Sequence, residues 1–309
     1  MVGVRLVLCL ALLIAAPAAR AQEWREAGHG PEDASGASNY MTEGAAIDAA
    51  NLIRRGRVVE IGRDYRPDMP LRDEQRFELT RSVSAGQGAI RVESRVTAAL
   101  GAGTRLDGLG HVGHAGPAET GGRFYNGHAT ADVTAAEGVL GIEHVKPFFT
   151  RGILIDMVTV RGRPMEAGEE ITVEDIETAL DWFGLAPPGK GDVVIFHTGW
   201  GRHWIADNDT YLSGAPGIGM AAAEWLAARK VALIGADTWA VEVQSVAEAN
   251  APPALPVHLE LIAGHGIFLH ENLETERLID AEVAEFAFVF APVPFRGATR
   301  SPGAPLAVY

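Results

Sequence analysis

The sequence predicts an α/β fold with mixed sheets. Strands and helices alternate through its second half, from a helix that begins at Thr172 to a last long strand over 284–291. The first half contains mainly strand patterns. Hydrophobic residues make up 47% of the chain, which is enough for a substantial core. This division predicts parallel and antiparallel pairing within one large domain or a domain with a long excursion.

The N-terminus has the composition of a secretory signal peptide. Arg5 precedes an apolar run over 6–16, and the small residues Ala19 and Ala21 follow on either side of Arg20. The run is shorter than the roughly 20 residues that span a bilayer. We therefore expect residues 1–21 to be removed and the mature protein to be periplasmic or secreted. Cys9 is the one cysteine and lies in this segment, so we expect no disulfide and no cysteine nucleophile or ligand.

The charge balance argues against two classes of partner. The chain has 26 Lys and Arg residues against 40 Asp and Glu residues, a formal net charge of −14 at pH 7. A surface of this sign repels nucleic acid and anionic membranes. A small molecule is the partner that remains.

The individual elements follow from local patterns. Residues 22–40 show little periodicity and predict a loose lead-in, and Thr42 is expected to cap a helix over 42–55. We therefore divide the mature chain into a lead-in with a helix, 22–57, and a main domain, 58–309. The predicted elements of that domain are strands over 58–62, 77–79, 89–96 and 152–158, helix 172–183, strand 192–200, helix 220–229, strand 231–238, a helix from Val257, and strands over 266–271 and 284–291. The strand over 89–96 alternates as half-buried strands do.

Residues 101–114 combine an acid and two imidazoles with glycines. Asp107 and His111 are four residues apart, and His114 adds a second imidazole. A helical turn or a tight glycine loop would let such groups share a metal ion or a proton. A surface turn with a solvated histidine fits the same spacing, so these residues alone leave both interpretations open.

A second cluster lies far along the chain. His258 and Glu271 are separated by a predicted helix, a glycine turn and a strand, so that both can face one point. Each taken singly also fits a structural role. Brought together by folding, the two clusters could hold a divalent metal.

The motifs of other catalytic classes are missing from the sequence. It contains no Gly-x-Ser-x-Gly nucleophile elbow, no phosphate-binding loop that ends in Gly-Lys-Ser/Thr, and no dinucleotide-binding glycine pattern between a strand and a helix. Metal-activated water is the mechanism that remains.

Several short motifs together carry a family resemblance. Residues 101–111 read Gly-Ala-Gly-Thr-Arg-Leu-Asp-Gly-Leu-Gly-His, against a family signature of His-x-Gly-Thr-His-x-Asp-x-Pro-x-His. Other segments match the family in the same order along the chain. One precedes the signature, at 68–70, and the others come after it, at 151–156, 191–200, 216–217, 235–238, 258–273 and 297–302. From about Val58 to the C-terminus, the chain resembles the cyclase family of metal-dependent hydrolases, which includes kynurenine formamidase, isatin hydrolase and trans-dienelactone hydrolase.

The resemblance implies a swivelling β/β/α cyclase-type fold that assembles as a dimer or tetramer. It implies hydrolysis of amide or ester bonds in small, often cyclic or aromatic substrates, with zinc or manganese. It also implies that Asp107, His258 and Glu271 bind the metal and that His111 carries the proton.

This sequence departs from the family signature at two metal-binding histidines, whose positions are occupied by Gly101 and Arg105. Three arrangements remain open. A single metal can be held by three residues, with one nearby histidine in addition: Asp107, His258 and Glu271, with His111 or His114. Arg105 can polarise a substrate carbonyl or bind a substrate carboxylate. In the third arrangement the metal is lost and the protein only binds its ligand.

The predicted function is metal-dependent hydrolysis of a C–N bond in an arylformamide or cyclic amide. In this mechanism the metal activates water for attack on a carbonyl carbon, and His111 transfers the proton to the leaving group. The substrate type is that of kynurenine formamidase in tryptophan catabolism. One alternative is a lactone hydrolase of the trans-dienelactone type. The other is an inactive periplasmic binding protein, which is favoured by the presence of Arg105 where the family has a metal-binding histidine.

Overall fold

A nine-stranded mixed sheet forms the centre of the computed structural model, which describes residues 28–72, 75–117, 121–246 and 255–309. The predicted signal peptide and the start of the lead-in lie outside these residues. The strands are β1 Val58–Glu60, β2 Phe77–Gly86, β3 Ala89–Ala98, β4 Arg105–Asp107, β5 Phe148–Asp156, β6 Glu170–Ile171, β7 Val193–His197, β8 Gly217–Ile218, β9 Leu233–Ala236, β10 Phe268–Glu271, β11 Glu285–Phe290, β12 Arg300–Pro302 and β13 Leu306–Val308. The α-helices are α1 Glu43–Ala50, α2 Thr130–Val133, α3 Met157–Arg161, α4 Val173–Phe183, α5 Asn208–Ser213, α6 Met220–Ala228, α7 Pro256–His258 and α8 Glu276–Asp280.

The sheet has the strand order β1-β13-β11-β5-β7-β9-β10-β4-β12. Its centre is parallel, with β5 beside β7, β7 beside β9, and β9 beside β10. The strands on both sides of this centre pair antiparallel. This arrangement confirms the predicted α/β fold with mixed pairing.

The parallel strands are covered on both faces, so they consist of almost continuous apolar residues. Every residue of β7 and β9 is buried. The helix α6 packs in this core through small side chains, including Ala222 and Ala223, and through Leu226. Of the helices in the described part of the chain, none combines the length and the apolarity that a bilayer-spanning segment needs.

The predicted helix starts are confirmed at their caps. Thr172 and Asp175 form a capping box at the start of α4, and the helix ends at Gly184, whose φ of 65° suits the left-handed region. The Thr42 side chain accepts a hydrogen bond from the Ala45 amide and so caps α1. This helix ends at Ala50, earlier than predicted, because the following residues turn the chain toward β1.

The strand predicted over 89–96 is confirmed as part of β3, but the prediction that it is half-buried is wrong. β2 and β3 form a separate two-stranded hairpin, in which every residue of β3 is exposed. The alternating pattern has a different cause: apolar residues of the two strands face each other on one side, as in the pairs Leu79 with Val96 and Val83 with Val92. The hairpin therefore presents one apolar and one polar face.

Candidate active site

Three adjacent strands place two acids and two arginines on one face of the sheet. In the antiparallel register, Glu271 of β10 lies opposite Arg105 of β4, and Asp107 of β4 lies opposite Arg300 of β12. Because side chains alternate along a strand, Arg105 and Asp107 share a face. The result is a block of alternating charges at one side of the sheet, in which all but Arg300 are buried.

A helix brings His258 to the same point. His258 ends α7, which continues as a π-helix over Leu259–Gly264 before the chain turns into β10. Its Nε2 atom lies 3.1 Å from Glu271 Oε1 and 3.9 Å from Asp107 Oδ2. The prediction that His258 and Glu271 face one point is confirmed.

Asp107, His258 and Glu271 form a candidate metal site. One ligand atom of each lies within 4.8 Å of the others, and all three side chains are buried. Asp107 Oδ2 has no hydrogen-bond partner among the described residues, which is costly for a buried carboxylate oxygen. A cation between these atoms would remove that cost, and three protein ligands leave a position open for a reactant. The residues present therefore fit a divalent metal.

The comparison with protein families identifies the family of this chain. Residues 33–243 match the model of the family described as "Putative cyclase". The chain belongs to the cyclase family. No curated protein shows significant sequence similarity to it.

Solved structures extend the likeness of this cyclase-family chain. A structure described as a novel cyclase is 27% identical, with a TM-score of 0.81 over 91% of this chain and 98% of its own. An isatin hydrolase from Ralstonia solanacearum is 20% identical, with a TM-score of 0.62 over 85% of this chain and 94% of its own. A predicted metal-dependent hydrolase from Bacillus stearothermophilus is 19% identical, with a TM-score of 0.51 over 81% and 97%. The last two show a shared fold.

Guanidinium groups occupy the space around both altered signature positions. Arg105 donates from Nη2 to Glu271 Oε2 and to the carbonyl oxygen of Trp239, the latter at 2.8 Å. Its Nε lies 3.6 Å from Asp107 Oδ1. These contacts make Arg105 a partner of two candidate metal ligands, and the predicted roles of Arg105 toward a substrate stay predictions.

Arg300, which the sequence analysis did not single out, fills the space above Gly101. A Cβ atom at position 101 would lie 2.5 Å from Arg300 Nη1. Arg300 also donates from Nε to Asp107 Oδ1 at 2.7 Å and from Nη2 to His111 Nε2 at 2.5 Å. Burial would raise the pKa of Asp107, but Arg300 above all, with His111 and Arg105, lowers it below its usual value. Asp107 is therefore an anion at neutral pH.

Glu242 is a second residue that sequence reasoning missed, since no local motif marks it. Its buried carboxylate contacts His258 Nδ1 and accepts hydrogen bonds from the amides of Val257 and His258, both at 3.2 Å. A carboxylate that contacts one ring nitrogen fixes the orientation of the imidazole. The other nitrogen, Nε2, then faces Asp107 and Glu271. Burial lowers the pKa of His258, but hydrogen bonds with Glu242 and Glu271 raise it to about 10.

His111 lies at the edge of the ligand group, with Nε2 3.6 Å from Asp107 Oδ2. Burial is the main reason that the pKa of His111 is lowered to about 4; Asp107 opposes this shift and Arg300 adds to it. The imidazole is thus neutral at physiological pH, as a proton acceptor must be. His114 is not in the group of three ligands found among the described residues, and its backbone pairs with Arg123. Its assignment as a metal ligand stays a prediction.

A cavity of about 390 Å³ opens onto this group. Its walls include His111, His258 and Glu271 on the polar side and Trp239, Ala240 and Leu255 on the apolar side.

Proposed function

We propose that the protein is a metal-dependent hydrolase that cleaves a C–N bond in an arylformamide or a cyclic amide. The observation that carries the proposal is the buried group of Asp107, His258 and Glu271 beside a cavity of about 390 Å³ that also contains His111. Family membership supports it. The cavity is large enough for a one- or two-ring substrate.

The proposed cofactor is zinc or manganese, held by Asp107, His258 and Glu271. Both metals accept imidazole and carboxylate ligands. The chemistry that such a metal supplies is Lewis acidity, which polarises a carbonyl and lowers the pKa of water.

The residues of the chain supply orientation and proton transfer. His111 is proposed to accept a proton at Nε2 and to return it to the leaving nitrogen. A proton at that atom is stabilised by Asp107, 3.6 Å away, and opposed by Arg300. Glu242 holds the His258 ring, and Arg105 holds Glu271.

The test is hydrolysis of N-formylkynurenine, isatin and a dienelactone by the purified mature protein, with added zinc or manganese and with a chelator. Turnover of one amide that the chelator abolishes supports the proposal. Substitutions Asp107→Asn and Glu271→Gln should then reduce both turnover and metal content, measured by elemental analysis. Turnover of the lactone alone would support the trans-dienelactone type of activity, because the same site attacks an ester carbonyl.

A second candidate is a periplasmic protein that only binds a small ligand. The contacts of Arg105 and Arg300 with the carboxylates of Glu271 and Asp107 favour it, since positive charge already balances these acids. No turnover across the panel, together with no metal in the purified sample, would support this candidate and contradict the hydrolase.

We also propose that the protein is a homo-oligomer, a dimer or a tetramer. The apolar face of the β2–β3 hairpin carries Val83, Ile90, Val92 and Val96, which are 57–75% exposed. A two-stranded hairpin with one bare apolar face has little stability of its own in water. A second copy of the chain would cover this face.

A periplasmic or secreted location is proposed on the composition of residues 1–21 alone. Sequencing the N-terminus of the protein recovered from the exporting cell would test it. An N-terminus that still begins at Met1 would contradict it.

A further inference from the structure

The cavity beside the candidate ligands differs in charge from the rest of the chain. Its described walls include three guanidinium groups, those of Arg72, Arg105 and Arg300, and one carboxylate, that of Glu271. The whole sequence has a formal net charge of −14. Arg105 and Arg300 are paired with Glu271 and Asp107, so the attraction of this cavity for an anion comes from guanidinium N–H donors at its wall rather than from a large net charge.

Arg300 lines this cavity and has one donor group that is not bonded to Asp107 or His111. Its Nε and Nη2 are bonded to Asp107 and His111, whereas Nη1 has no hydrogen-bond partner among the described residues. The side chain is 25% exposed. Nη1 lies above Gly101, where a side chain would collide with it. Arg105, by contrast, is 8% exposed and donates to Glu271 and to the Trp239 carbonyl oxygen.

Arg72 provides a second guanidinium in a fixed orientation. It lies 3.8 Å from the centroid of the Trp239 ring. The ring itself is fixed, because its indole N–H donates to the Gly214 carbonyl oxygen at 2.8 Å and only 5% of the residue is exposed. A guanidinium that stacks on an aromatic ring keeps its N–H groups directed outward in its own plane, where they can bind a carboxylate.

We propose that the substrate carries a carboxylate that binds to Arg300 Nη1 and to Arg72, while its apolar part lies against Ala240 and Leu255. This inference rests on the proposed function, because it concerns the substrate of the same cavity. Charge-assisted hydrogen bonds from guanidinium to carboxylate are among the strongest that proteins make. Gly101 belongs to the site, since its lack of a side chain leaves room for Arg300.

The experiment compares benzoate with benzamide, which have the same ring and differ in charge. Calorimetric titration of the purified protein should give a Kd for benzoate at least tenfold lower than for benzamide. Arg72→Gln and Arg300→Gln should each reduce this ratio to about two or less. Arg296→Gln is the matched control, because Arg296 is 70% exposed and pairs with Glu137 away from the cavity. It should leave the ratio unchanged.

Two further variants separate loss of charge from loss of structure. Arg72→Lys keeps the positive charge but loses the planar donors that stack on Trp239, so it should lower the ratio less than Arg72→Gln does. Gly101→Ala leaves every charge in place but moves Arg300, and should lower the ratio. Elemental analysis of each sample gives its metal content. Because Arg72 is not one of the proposed metal ligands, a ratio that stays at tenfold or more in Arg72→Gln, at unchanged metal content, overturns the proposal.

The result is independent of turnover. Equal binding of benzoate and benzamide by the unsubstituted protein would refute the carboxylate site and leave the hydrolase in place. A tenfold ratio in a protein that hydrolyses nothing in the substrate panel would refute the hydrolase and keep the anion site.

Discussion

Replacing Glu242 with glutamine tests whether this buried carboxylate holds the site together. Glu242 is 1% exposed and is hydrogen-bonded to the amides of Val257 and His258 and to the His258 ring. The raised pKa of His258, about 10, means that its imidazolium is paired with Glu242 and Glu271 when no metal is bound. Glu242→Gln removes one of these two acids and puts an amide in its place.

The expected loss follows from breaking a buried charge pair. Removal of one partner typically costs about 3–5 kcal/mol, and because Glu271 remains beside His258 we expect roughly 3 kcal/mol. With an unfolding entropy of about 2.1 cal/mol/K per residue, that corresponds to a decrease in Tm of about 5 °C in a chain of this size. Denaturant unfolding and calorimetry of the chelator-treated protein measure both quantities.

Glu137→Gln is the control, because Glu137 is 72% exposed and pairs only on the surface, with Arg296. Its free energy of unfolding should change by no more than about 0.5 kcal/mol. If Glu242→Gln is as stable as the unsubstituted protein to within that margin, Glu242 does not hold His258 and our interpretation of the site is wrong.

Three further predictions concern catalysis, pH and assembly. His111→Gln should lower kcat by about 10²–10⁴-fold at unchanged metal content. His144→Gln, which changes an exposed histidine outside the cavity, should leave kcat unchanged. An equal decrease in both variants would contradict the role of His111. Because the pKa of His111 is lowered to about 4, the base is neutral above that pH and is protonated below it. His111 should therefore contribute no titration near 6.5 to the profile of kcat/KM, and any decline between about pH 5 and 8 belongs to the metal-activated water and should persist in His111→Gln; a decline in that range that disappears in His111→Gln refutes this. Ile90→Lys should convert an oligomer to monomers in light scattering, whereas Arg91→Lys on the polar face should not; a protein that is monomeric without substitution contradicts the proposal.

The sequence by itself determined the main helices, the central parallel strands and the three acidic and imidazole residues of the candidate site, but not the short strands β4 and β12 beside that site. Helix caps such as Thr172 and apolar strands such as 193–197 depend on residues a few positions apart, so local patterns reveal them. The two clusters of acids and imidazoles singled out Asp107, His258 and Glu271, the resemblance implied that they bind a metal, and the fold brings their ligand atoms within 4.8 Å of one another. The resemblance also revealed that the histidines expected at Gly101 and Arg105 are missing.

Only the tertiary structure decided what surrounds these residues. Arg300 reaches Asp107 across 193 positions of the chain because β12 pairs with β4 in a register that sets the two opposite each other. The contact of Glu242 with His258 likewise depends on the packing of a loop against a helix start. The exposure of the β2–β3 hairpin could not be predicted from the sequence either. An alternating strand has the same residue pattern whether its apolar face packs on a core or lies beside apolar residues of a neighbouring strand. Local periodicity specifies which face of an element is apolar, whereas strand register and packing decide what that face meets.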